Sequence, residues 1–470
     1  MSAPATTEKK YLKWYQKLAY GSGDLASNCS YGLVSSFVLL YLTGTLGLDS
    51  AIIGSLMLAS KVLDGISDVI FGTLIDRTHS KLGKARPWML FGQVGVSLCL
   101  FLLFAIPAGS TTIQYIYFFI VYTALNAVFY TANGIAYSSL VALITKNNNE
   151  RVQLGSFRFM FAVVTNIFMG FAVTGMVEKF GSGAAGWRTT ALIFAIVGLV
   201  VNTISCLAVK ELPEEELSDN TSEAAEEGKA VAKEKKHGFA ETAKILIHNK
   251  YYLMILAIYI VYYIMSNLTT GAGVFCATYY WGDGSLLGQF SMMKMFPVII
   301  ALAIAPVLIK KTGSMQKVNF WGYAISSVLG IPMIYFAMQK NLSMFLLFMF
   351  IKGVFAGTLS GSLNALIAEA SGYTTRTTGI HMDGMMYSCS SLGVKVGGGI
   401  GTAAVGWLLK LGGFVGTATV QSESAIRMIF NLYITFPFVI GIIITVLLAF
   451  LDVEKANKKW DAEHQKEAQA

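Results

Sequence analysis

Charge is scarce in this chain: of 470 residues only 13% are Asp, Glu, Lys or Arg, while 54% are hydrophobic. One water-soluble core cannot hide that much apolar surface, and the mean hydropathy of +0.58 points to a bilayer as the solvent. Cysteine is sparse as well. Cys29, Cys99, Cys206, Cys276 and Cys389 fall in apolar stretches with no spacing suited to a metal or a disulfide, so they read as small buried apolar residues. The five histidines (His79, His237, His248, His381 and His464) form no metal-like pattern. There is no phosphate-cradling Walker-type loop and no nucleophile motif. No cleavable leader is expected at the start, where Lys9, Lys10, Lys13 and Lys17 stand among Tyr11, Leu12, Trp14 and Tyr15. That composition reads as a basic, aromatic segment at a membrane interface.

What is abundant is long apolar runs. A spanning helix needs about 20 apolar residues, and about twelve such stretches can be read. They run from Leu25–Leu46 to Thr189–Val209 in the first half and from Tyr251–Trp281 to Ala425–Leu451 in the second. Lys and Arg concentrate in alternate loops, which places both termini in the cytoplasm by the positive-inside rule. The same asymmetry accounts for the net charge of +8 without any nucleic-acid partner. One hydrophilic stretch interrupts the apolar pattern in the middle. It carries Glu214, Glu215, Glu216, Glu223, Glu226 and Glu227, then Lys233, Lys235 and Lys236, and reads as a solvated cytoplasmic linker. The expected layout is an N-terminal six-helix bundle over 1–209, a central loop over 210–250, a second bundle over 251–451 and a tail over 452–470. This is an all-α, multi-pass membrane protein of twelve transmembrane helices, the arrangement of the major facilitator fold, set in the cell (inner or plasma) membrane.

A weak internal repeat supports two halves. LIDRTHSKLGKARPWMLFG runs from Leu74 to Gly92, and LIKKTGSMQKVNFWGY from Leu308 to Tyr323. Both join a Leu-Ile exit to basic residues, a Gly and an aromatic re-entry; the second lacks the Asp and the Arg-Pro-Trp.

Ionisable groups inside spans are the informative exceptions, since each costs at least about 2.5–3.5 kcal/mol at a helix centre. Asp64 and Asp68 stand four apart, on one helix face. Two carboxylates there repel unless a cation, a proton or a basic side chain intervenes. Two readings stand at this point: a cation site, or permanent ion pairs with Lys61, Arg158 or Lys395. Lys294 and Lys352 are further cations in mid-span, while Lys61 and Arg158 are near enough to helix ends to snorkel. Lys395 lies deep in GVKVGGGIG, where glycines let a neighbouring helix backbone approach. In the fourth span Asn126, Tyr130, Asn133 and Tyr137 recur at intervals of four, three and four, one stripe of a helix. Amides, hydroxyls and rings of this kind suit a sugar, or they hold helices together. Asp24 and Asn28 have the same one-turn relation in the first span.

The run Asp64-x3-Asp68-x3-Gly72-x3-Asp76-Arg77-Thr78, followed by Gly83-Lys84-x-Arg86-Pro87-Trp88, resembles the glycoside–pentoside–hexuronide:cation symporter family. YGSGDLASN from Tyr20 to Asn28, ERVQLGSFRF from Glu150 to Phe159 and the Lys395-Val-Gly-Gly run fit the same family, and the likeness covers essentially the whole chain. The resemblance implies a cation site at Asp64 and Asp68, with Asn133 at a position that serves both cation and sugar. It implies that Arg158 and Lys395 join the charge network and that Asn28, Asn133, Tyr137 and Arg158 line a sugar site. The family's type member has carboxylates at the positions of Asn28 and Asn133 and Trp at that of Tyr137, so galactoside specificity does not carry over.

The function expected is uptake of a glycoside, pentoside or hexuronide by symport with Na+ or H+, through alternating access of the two halves. Asp76, Arg77, Lys84 and Arg86 are expected to make gating contacts. The partners are a small sugar, the coupling cation and the bilayer; no cofactor is called for, and no metal beyond a coupling Na+. The competing readings are a cation-coupled carrier of lysolipids and a membrane-embedded enzyme using the Asp64/Asp68 pair for acid–base chemistry.

Overall fold

A computed structural model of the chain describes residues 9–213, 245–380, 383–418 and 420–469. Most of the expected central loop, with its Glu and Lys clusters and His237, lies outside the described residues, as does His381. All regular structure in the described residues is helical.

The first half holds α1 (Trp14–Gly21), α2 (Gly23–Leu40), α3 (Ser50–Asp76), α4 (Arg86–Leu103), α5 (Thr111–Thr123), α6 (Thr131–Ile144), α7 (Asn148–Lys179) and α8 (Gly183–Leu207). The second holds α9 (Lys250–Phe275), α10 (Leu286–Thr312), α11 (Met315–Met338), α12 (Leu342–Thr378), α13 (Asp383–Leu411), α14 (Glu423–Phe430), α15 (Phe436–Phe450) and α16 (Val453–Gln469). Helix starts follow the local chemistry. Ser110, Asn147, Asn249, Ser314, Asn341 and Ser422 each accept a first-turn N–H with the side chain, and Pro87 opens α4. Large apolar side chains such as Leu98, Ile120, Val328 and Phe450 stand exposed along these helices, as lipid-facing residues do.

Among the described residues eleven helical stretches are long and apolar enough to cross a bilayer. Between the first and second of them lies α3, whose 27 residues carry Lys61, Asp64 and Asp68. At 1.5 Å per residue α3 is about 40 Å long.

The described residues of Met1–Leu48 and Ala59–Lys236 form one compact unit, and those of Asp49–Leu58 and His237–Ala470 a second. In the first, α2 packs on α7 and α8, and α4 on α6 and α8. In the second, α9 packs on α13, and α12 on both α10 and α11. Two devices recur in both. The helical stretch that opens each half ends in a π turn, Tyr41–Thr45 and Cys276–Trp281. Each also carries a Glu after its final span that accepts backbone N–H groups at the start of a helix. Glu211 takes those of Lys84, Ala85 and Arg86 at 2.7, 2.9 and 3.0 Å. Glu454 takes that of Gln316 at 3.0 Å together with the Ser314 hydroxyl. The two helices so capped, α4 and α11, are the ones entered from the repeated loops.

The N-terminal segment departs in part from the interfacial reading. Trp14 is exposed, but Lys17 is buried and ion-paired with Glu150 at 2.9 Å. Glu150 also accepts the N–H groups of Tyr11 and Leu12, so it ties the chain start to α7.

Candidate functional site

On α3, Lys61, Asp64 and Asp68 fall on one stripe at half-buried positions, while Val62, Ile66 and Ile70 stand exposed. Lys61 Nζ lies 3.4 Å from Asp64 Oδ2, a long contact for an ion pair. Asp64 Oδ1 is 2.7 Å from the Thr131 hydroxyl, which is also 2.9 Å from the Asn126 carbonyl. A hydroxyl has one proton, so Thr131 serves the carboxylate or the carbonyl, not both at once. Thr131 comes directly after a π turn, Ala124–Tyr130, and its own backbone N–H also donates to the Asn126 carbonyl. Nothing in the sequence stripe pointed to Thr131.

A second cluster lies where α2, α6 and α7 meet. Arg158 Nε donates to Asp24 Oδ2 at 2.7 Å, and its guanidinium lies 4.2 Å from the centre of the Tyr137 ring. Tyr137 is itself buried, donating to the Tyr20 carbonyl at 2.7 Å while the Tyr20 hydroxyl donates back to the Tyr137 carbonyl. Asn28 Nδ2 donates to the Asp24 carbonyl at 2.7 Å, and Asn28 Oδ1 accepts from Asn166 at 2.8 Å. Asn166, a polar residue in mid-span, carries no sequence signal that sets it apart. Tyr31 of α2 and Tyr130, at the end of the π turn, stack at 5.7 Å.

The other expected residues stand as follows. Arg158 takes Asp24 as its carboxylate partner, not Asp64 or Asp68. The π turn breaks the even stripe of the fourth span: Asn126 turns its amide back to the Tyr122 carbonyl at 2.9 Å. Asn133 is only 2% exposed, wedged against α4 with Nδ2 on Gln93 Oε1 at 2.9 Å and Oδ1 without a hydrogen bond. Among the described residues Asn133 makes no hydrogen bond to Asp64 or Asp68. Asp76 and Arg77 are exposed at the end of α3 and Lys84 is half-buried. Arg86 is buried and donates to the Cys206 and Leu82 carbonyls, which ties α4 to α8. Lys395 is half-buried on α13 in the second unit. The glycines after it do admit a neighbour: a Cβ at Gly397 or Gly401 would strike the Ile260 or Ile264 carbonyl of α9.

Buried charges, amides and stacked phenols thus stand close together within the first unit. Residues 19–455 match the family described as MFS/sugar transport protein. The chain belongs to the MFS/sugar transport family. It is 26% identical to the isoprimeverose transporter of Lactiplantibacillus pentosus, over 100% of this chain and 96% of that one. It is 24% identical to the inner membrane symporter YicJ of Escherichia coli, over 92% and 90% of the two chains. Among solved structures, a bacterial homologue of the human lysosomal transporter Spinster superposes with a TM-score of 0.65 at 13% identity, covering 95% of this chain and 97% of that one. That last likeness concerns the fold alone. Membership of the family makes this MFS/sugar transport protein a multi-pass membrane transporter, and it removes the membrane-embedded enzyme.

Proposed function

We propose that the chain carries a sugar into the cell by symport with one monovalent cation, with both termini in the cytoplasm. Asp64 and Asp68 hold the cation, and the Asp24–Arg158–Tyr137 cluster with Asn28 and the Tyr31/Tyr130 pair contacts the sugar. The observation that carries this reading is at Asp64: the Lys61 ammonium stands 3.4 Å from one oxygen, and the other meets the Thr131 hydroxyl, which also reaches the Asn126 carbonyl. A Na+ or a proton arriving there displaces a weak contact. When it does, the Thr131 hydroxyl is free to turn to the Asn126 carbonyl, and the change reaches Tyr130 through the same turn.

One elementary charge crossing 100 mV supplies about 2.3 kcal/mol. At about 1.4 kcal/mol per tenfold ratio, that sustains roughly fifty-fold accumulation. The two relatives named above, one by its sugar and the other as a symporter, support the pairing of sugar with ion.

The test is purified protein in proteoliposomes, with a panel of pentoses, glycosides and uronides scored for solute-driven Na+ or H+ entry. Asp68→Asn should retain counterflow of labelled sugar and lose uphill accumulation. Full accumulation by that variant removes the carboxylate pair from coupling.

A further inference from the structure

Two lysines of the second unit, outside the residues assigned above, line one cavity. We propose that Lys294 and Lys352 form a binding subsite for an oxyanion, so that the solute carried bears a carboxylate, sulfonate or phosphate. This rests on the transport reading above and adds the charge of the cargo.

The two side chains come from neighbouring helices at matching depth. Lys294 lies about 12 Å along α10 and Lys352 about 15 Å along α12, at 1.5 Å per residue. Because α11 crosses back between those helices, both starts lie on the same membrane face. At this level α10 and α12 touch: Gly353 has no Cβ, and one built there would stand 2.9 Å from Pro297 Cβ. Beside that contact the two helices part around a cavity of 190 Å³, lined by Lys294 and Lys352 along with the hydroxyl residues Ser266, Thr269 and Ser360. An engineered cavity of about 150 Å³ takes up benzene, so a small organic acid has room.

The lysines have no fixed counter-charge among the described residues. Lys294 Nζ donates to the hydroxyls of Thr270 at 3.0 Å and Thr269 at 3.4 Å, both neutral. Lys352 makes no hydrogen bond or ion pair there, although it borders the same polar rim. Ammonium groups this far into a span are retained where they face a cavity and meet a partner. Here the missing partner is negative, and two point charges lining one cavity suit the two or three oxygens of one acidic group. Met293, Met349 and Phe345 supply apolar wall for the carbon skeleton next to it.

The experiment compares glucuronate with its uncharged isostere glucuronamide, and propane-1-sulfonate with propanol, by calorimetry on the full-length purified protein. The acids should bind at least tenfold more tightly than their neutral counterparts. Lys352→Gln should erase that preference and Lys352→Arg should keep most of it. Lys352→Met removes a buried charge and is expected to fold at least as stably; for this variant, glucuronate should no longer raise the melting temperature. Equal binding of acid and neutral probes, no binding of either acid, or a preference that survives Lys294→Gln with Lys352→Gln overturns the subsite. Uptake distinguishes the two levels. Neutral sugars driving cation entry while acids do not sinks the subsite and leaves symport standing. Acid binding without any solute-driven cation entry sinks symport and leaves the subsite.

Discussion

Arg158 gives its guanidinium to Asp24 at 2.7 Å, while on α3 the Lys61 ammonium stands 3.4 Å from Asp64. The strong bond of this region thus links α2 to α7, while the contact on α3 is long, within one helix, and easily displaced. This division suits a site in which one charge pair shapes a surface for solute and another exchanges its partner for an ion.

Removing Asp24 alone should therefore be costly. Asp24→Asn leaves a guanidinium over the Tyr137 ring with no counter-charge, in a setting where breaking a buried pair costs about 3 kcal/mol. The double variant Asp24→Asn with Arg158→Gln should recover much of that loss. A double-mutant cycle on thermal or detergent unfolding measures the coupling; additive losses would show the pair to be unimportant for stability.

Asn133 separates a packing role from an ion-binding one. It sits between α6 and α4 on Gln93, so close to Gly92 that a Cβ built there would stand 3.1 Å from Asn133 Cβ. Asn133→Ala should lower stability by about 1–2 kcal/mol, the range for a lost buried hydrogen bond. The cation dependence of uptake should be unchanged. A shifted half-saturation for the cation in this variant would restore Asn133 to the ion site.

The fold was legible in the sequence because apolar length, basic-loop asymmetry and the central hydrophilic break are coarse signals. The Asp64/Asp68 stripe was legible for a similar reason: a four-residue interval fixes a helix face whatever the partners are. Partner choice was not. Which carboxylate Arg158 takes depends on where α2 and α7 cross, and nothing local to either helix records that. The stripe through Asn126, Tyr130, Asn133 and Tyr137 assumed uniform 3.6-residue turns. The π turn at Ala124–Tyr130 rotates the helix beyond it, so Tyr130 meets Tyr31 while Asn133 faces α4. Glu211 was not legible because its role, closing the start of α4 from beyond α8, links residues more than a hundred positions apart.

Glu211 and Glu454 yield a paired prediction. Each carboxylate accepts N–H groups at the start of the third span of its half, and such caps contribute about 0.5–2 kcal/mol. Glu211→Ala removes the acceptor of three N–H groups and should destabilise the first unit by about 2 kcal/mol or more; Glu211→Gln should lose less. Glu454→Ala should do the same to the second unit. Limited proteolysis near Gly83 and near Gly313 reads the two sites separately, and equal cleavage of wild type and variant at both would refute the capping role.

Asp49 offers a test in which pH has a definite sign. It precedes α3, accepts the Ala51 and Ile52 N–H groups at 2.9 and 3.4 Å, and pairs with Lys410 at 2.6 Å. Partial burial pushes its carboxyl up, but the Lys410 ammonium and the two N–H groups outweigh that and hold it below the ordinary carboxylate range. With the folded value depressed, the stabilisation is fully present above the unfolded value of about 3.9 and fades only as pH falls through the folded one. The contact of Asp49–Leu58 with α13, which includes the Ser50 hydroxyl on the Gly406 carbonyl at 2.9 Å, should therefore hold steadily between pH 5 and 8 by this argument. Asp49→Asn should loosen it across that whole range. Hydrogen exchange of a peptide covering 49–58, corrected for intrinsic rates, gives the comparison. A wild-type protection that already declines between pH 7 and 5, or equal protection in the variant, would show that the ion pair does not hold the start of α3.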